Sequence, residues 1–141
     1  MGIANALYHF AFKKPEAPWE VVDSKSVEPV PLWDDEDDLD IIYIHDTDIV
    51  RNYVFDVRAQ KDIQRSLIFA QQQMLHEVRS KGYNVLWCEG WDLTLLRKAK
   101  RYRVEVRYIG RPAYLSGKPL ASPLPPFMGV IDHLARSSCV P

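Results

Sequence analysis

Net charge, paired cysteines and apolar runs of bilayer length are all missing from this 141-residue chain, and each absence closes off a class of answer. Eighteen Lys and Arg stand against nineteen Asp and Glu, a net charge of −1. The molecule as a whole therefore lacks the electrostatic footprint of a protein whose main partner is a nucleic acid or an anionic membrane. Two cysteines, Cys88 within an apolar run and Cys139 near the end, do not make a disulfide framework, and a reducing compartment is the simpler assumption. The opening residues carry no basic leader before their apolar stretch, and that stretch is too short to span a bilayer. Gly2 fits a myristoylation pattern, but Ala6 stands where Ser or Thr is wanted. A cytoplasmic protein without a membrane span is expected. No triad order, phosphate-cradling glycine loop or metal-ligand spacing stands out, so no cofactor and no metal is expected.

What is present is a 47% apolar composition with 26% charge, enough for one domain that buries a core without covalent staples. Ten prolines exceed the roughly seven expected at about 5% usage, and they cluster in the two ends. Residues 32–111 contain none, which places the core there. Three regions follow: an N-terminal arm with an acidic loop (1–40), a core domain (41–117), and a proline-rich C-terminal arm with a short apolar helix (118–141).

In the first region, the spacing of prolines over 15–31 favours extended, irregular chain. Asp34, Asp35, Glu36, Asp37, Asp38 and Asp40 then form an exposed acidic loop, read as a solvated, solubilising segment or as a docking patch for a basic protein partner. An EF-hand reading of that loop fails, because it has no glycine at the turn and His45 falls at the bidentate position. Ile41, Ile42, Tyr43 and Ile44 predict a strand, and Tyr53, Val54, Phe55 and Val57 a second one after the turn-like His45, Asp46, Thr47 and Asp48.

Ile63, Leu67, Ala70, Met74 and Val78 recur at steps of three and four, which predicts an amphipathic helix. Phe69 and Leu75 widen its apolar stripe, and Gln64, Gln71, Gln72, Glu77 and Arg79 fill the polar face. Gly82 is a fitting stop. The following hairpin has a bulge near Gly90, a turn at 97–101, and a return strand in which Tyr102, Val104, Val106 and Tyr108 oppose Arg101, Arg103, Glu105 and Arg107. Gly110, Arg111 and Pro112 end that strand. The fold class expected is α+β: one long amphipathic helix packed on a small antiparallel sheet, with proline-rich extended N- and C-terminal arms.

Over residues 74–115, a helix ends in Lys81, Gly82, Tyr83, Asn84, Val85 and Leu86, and a long hairpin closes on Tyr108, Ile109, Gly110, Arg111, Pro112 and Ala113. This stretch resembles the YbjQ and RcsF type of small α+β domain, apart from bulky Tyr83, Trp87, Cys88 and Pro112. The resemblance implies a helix on a curved antiparallel sheet, oligomers of the YbjQ ring kind, and no defined activity.

Three functional readings follow. The first is a noncatalytic homo-oligomerising or protein-interaction module, in which Trp19, Trp33, Phe127 and Ile131 on the two arms are exchanged between subunits. The second is a small-molecule or polyanion binder, using a pocket around Trp87, Glu89 and Trp91 or the face of Arg101, Arg103 and Arg107. The third is a small hydrolase with Asp46 as nucleophile and Asp48 as acid, set against the simpler reading of both as turn formers. Cys88, flanked by apolar side chains, reads as packing before it reads as a reactive thiol.

Overall fold

The computed structural model describes residues 18–31, 33, 40–116, 123–132 and 134. Among these residues five strands and one α-helix follow in the order β1 (Glu20–Pro31), β2 (Asp40–Ile44), β3 (Ile49–Val57), α1 (Gln60–Ser80), β4 (Val85–Lys98) and β5 (Arg101–Ser116), and a short 3-10 helix covers Met128–Ile131. All pairings are antiparallel, in the spatial order β1, β4, β5, and then β2 and β3 end to end along β5. The fold is α+β.

The return strand of the hairpin shows the alternation that the sequence carries. Val104, Val106 and Tyr108 are buried toward α1, while Glu105 and Arg107 are exposed. On β4, Trp91, Leu93 and Leu95 meet them in the same layer. From above, α1 presses Ile63, Leu67, Ala70, Met74 and Val78 into this layer, every one of them fully buried. Each large side chain among them contributes about 1.5–3 kcal/mol before chain entropy is subtracted.

Both ends of α1 are set by local chemistry. Asp62 reaches back to accept the backbone N–H groups of Arg58 and Ala59, both at 3.0 Å, which satisfies donors that a helix start leaves free. At the other end Gly82 has φ of 97°, and Tyr83 N donates to Val78 O at 3.0 Å, so the chain leaves the helix through a left-handed glycine.

Three departures from expectation bear on function. The segment 15–31, expected to be irregular, supplies β1, which pairs with β4 from Glu20 against Arg97 to Pro31 against Cys88. An edge strand has one side free of ladder bonds, so Pro29 and Pro31 are tolerated, and a register shift between Val27 and Val30 takes up the first of them. Gly90 permits this close approach, because a Cβ there would lie 2.6 Å from Pro29 N and 2.7 Å from Val27 O. Second, the bulge of β4 lies between Leu86 and Cys88 rather than at Gly90. Third, Pro112 does not end β5. The strand runs on to Ser116, and Pro112 stands opposite the gap between β2 and β3, where no ladder partner needs its missing N–H. Its carbonyl instead accepts from His45 N at 2.8 Å.

Candidate functional site

Of the residues expected around a tryptophan pocket, Glu89 and Trp91 come together, but as part of the core. Trp91 is fully buried, Glu89 is 2% exposed, and Trp87 is half-buried at the bulge. Glu89 Oε1 accepts from Tyr108 OH at 2.6 Å and from Gln71 Nε2 at 2.7 Å. Gln71, placed on the polar face of the helix by its spacing, is in fact buried by this bond and by a second one from Nε2 to Pro123 O at 2.8 Å. Trp91 Nε1 donates to Pro126 O at 2.8 Å. Residues 123–132 thus form a strap over the cluster, and Gln64 Nε2 adds a bond to Asp132 at 2.9 Å. Burial pushes the Glu89 pKa up to about 7, against the opposing pull of the Tyr108 and Gln71 hydrogen bonds. Burial and the Glu89 carboxylate raise that of Tyr108, which stays a neutral donor.

The arm residues pack on their own chain. The Trp19 ring lies under the guanidinium groups of Arg103, at 4.2 Å, and Arg101, at 5.4 Å. Trp33 Nε1 donates to Leu86 O at 3.0 Å. Ile131 is fully buried in the core, whereas Phe127 is exposed in a left-handed conformation with φ of 55°. Residues 34–39, with the acidic run Asp34 to Asp38, lie outside the described residues, as does Cys139, and Asp40 opens β2.

Asp48 is an ion-pair partner of Arg111 at 3.0 Å, and the turn it belongs to is closed by His45 Nδ1, which bonds the Thr47 backbone. Cys88 is half-buried, and burial raises its pKa, so the thiol form is favoured over the nucleophilic thiolate. Among the described residues no cluster of three His, Cys, Asp or Glu side chains has a metal-holding arrangement. Two arginines of the hairpin face are answered by carboxylates, Arg107 by Asp92 at 3.3 Å and Arg103 by Glu105 at 3.4 Å.

The arrangement that spacing did not reveal lies along the open edge formed by β2 and β3. Phe69, counted with the buried stripe of α1, is 51% exposed, and it stands edge-on to Phe55 with centroids 5.5 Å apart. Tyr53 stacks on Phe55 at 6.3 Å. A groove of about 420 Å³ between β3 and α1 is lined by Phe55, Phe69, Ser66, Asp56, Asp62 and Arg65. Elsewhere on β3, Arg51 donates to Glu77 of α1 at 2.9 Å and to Val50 O at 2.8 Å. On the strand itself Val54 is 58% exposed, and on β2 Ile42 is 61% exposed beside the half-exposed Ile41 and Tyr43. The available signal was that Phe69 flanks the main stripe, next to Arg65, Gln72 and Gln73, where a helix turns toward solvent.

No protein-family model, no curated protein and no solved structure matches this chain.

Proposed function

We propose that this chain is a noncatalytic self-association module that pairs with a second copy through the β3 edge. The observation that carries the reading is the contrast between the two edges of the sheet. β1 has prolines at 29 and 31, two register shifts, and Lys25 and Glu28 along its length, all features that discourage a further strand. β3 has nine residues in unbroken register with β5, no proline and no bulge. A regular edge bordered by exposed apolar side chains is a template for another strand.

The sequence of β3 also suits its own copy. In an antiparallel pair directly opposed residues share a face, so a twofold pairing is centred on a residue. Centred on Val54, it sets Tyr53 of each copy against Phe55 of the other, Asn52 against Asp56, and Val54 against Val54. No like charges meet. The two aromatic pairs contribute about 0.2–1 kcal/mol each over alanine, and an amide donor faces each carboxylate. Centred on Asn52 or Asp56 instead, the pairing would oppose Asp48 to Asp56 or Asp56 to itself. The resemblance to YbjQ-type domains, which implies oligomers, points the same way.

Light scattering and sedimentation equilibrium test the reading. The full chain at micromolar concentration is expected to have twice its monomer mass. Val54→Lys, at an exposed position, sets two ammonium groups opposite each other and is expected to weaken the dimer by about tenfold or more. A strictly monomeric wild type, or a Val54→Lys variant with unchanged association, would overturn it.

A further inference from the structure

The register that sets Val57 against Tyr102 brings the end of β3 beside the tip of the β4–β5 hairpin. Between them lies a cleft of about 690 Å³ lined by Arg58, Arg97, Lys100 and Arg101, with Asp56 as its one acidic wall residue and Tyr102 as an aromatic one. Four cations share this concavity although the chain as a whole has a net charge of −1.

Most of that charge is uncompensated. Arg97 pairs with Glu20 at 3.6 Å, but both side chains are well exposed and such a pair is worth little. Among the described residues no carboxylate lies within ion-pair distance of Arg58, Lys100 or Arg101. Arg101 rests against the Trp19 ring, a contact that orients the guanidinium without neutralising it. Arg103 and Arg107, by contrast, have carboxylate partners, so the unanswered cations are gathered at the end of the sheet where the surface is concave.

We infer that this cleft binds a small molecule carrying two or more phosphate groups, with Arg58, Arg97, Lys100 and Arg101 as its ligands. Guanidinium forks match phosphate oxygens in pairs, and a multiply charged anion relieves the mutual repulsion of the four cations. The volume falls within the roughly 300–1,000 Å³ of small-molecule sites, more than one inorganic phosphate fills, and Tyr102 offers a face to an organic group. Asp62 occupies the backbone N–H groups of Arg58 and Ala59 just before α1, so the ligands assigned here are side chains.

Isothermal titration of the full chain with ATP, inorganic pyrophosphate and adenosine tests this. ATP and pyrophosphate are expected to bind and adenosine not to, with affinity falling as salt is raised from about 50 to 200 mM. The double variant Arg58→Ala, Lys100→Ala alters two exposed side chains, and it is expected to weaken ATP binding by about tenfold or more with an unchanged circular dichroism spectrum. The inference fails on any of three results: no binding of either phosphate compound at millimolar concentration, adenosine binding as well as ATP, or undiminished ATP affinity in the double variant. A single-stranded oligonucleotide that bound far more tightly than ATP would also overturn it, assigning the cleft to nucleic acid. None of these readouts depends on self-association.

Discussion

Glu89→Gln is expected to stabilise the protein at alkaline pH and to remove most of this group's contribution to its pH dependence. Burial raises the Glu89 pKa from 4.5 to about 7, so the folded chain holds a proton that the unfolded chain gives up. Below pH 4.5 both states are protonated and the group is silent. Between 4.5 and about 7 the unfolded chain ionises first, so stability falls as pH rises. Above that window both states are ionised and the full penalty remains, about 3 kcal/mol at roughly 1.4 kcal/mol per tenfold change in proton affinity. Since the side chain is 2% exposed, solvent screening does little to reduce it. Glutamine keeps an acceptor for Tyr108 and Gln71. It also brings an N–H donor to a cluster in which Gln71 Oε1 is buried without a partner. Urea unfolding of both proteins at about pH 5 and about pH 8 reads the effect as a change in the difference between their unfolding free energies. The variant should gain about 2.5 kcal/mol on the wild type over that interval, since part of the penalty is already present at pH 5. A difference independent of pH would refute the reasoning, because the buried charge would then carry no penalty.

Gly90→Ala places a methyl group against the Val27 and Pro29 backbone, neither of which is a flexible side-chain end. A loss of about 1–3 kcal/mol is expected, and amide exchange should show β1 losing protection while the β4–β5 hairpin keeps it. Ala99, in the tight turn after β4, has φ of 54°, a left-handed conformation that costs a residue with a Cβ roughly 1–2 kcal/mol. Ala99→Gly is therefore expected to raise the melting temperature, by an amount equivalent to about 1 kcal/mol once the added freedom of the unfolded chain is counted. A lower melting temperature would mean that the turn does not bear that strain.

The parts of this fold legible in the sequence are those whose periodicity is local. The three- and four-residue steps from Ile63 to Val78 and the alternation of Val104, Val106 and Tyr108 each report one buried face, and both are found as expected. What spacing cannot report is which neighbour a residue meets. Pro112 reads as a breaker in isolation, yet it is harmless opposite the gap between β2 and β3. Gln71 reads as solvated, yet Glu89 and Pro123, far away in the chain, give it partners in the core. The prolines of 15–31 read as an arm because an edge strand tolerates them only by virtue of where it lies. The same limit hid both candidate sites: Phe69 and Phe55 belong to different elements, and Arg58 and Lys100 are brought together only by the pairing of β3 with β5.

The unequal margins of the sheet also decide how far assembly can go. A protein with two receptive flanks adds copies head to tail and grows into a fibre. Here proline and irregular register blunt one flank, among the described residues, so that the proposed twofold union would consume the receptive side of both molecules. In the proposed dimer growth would halt at a pair, and a long exposed strand that would otherwise invite aggregation would become compatible with a discrete particle.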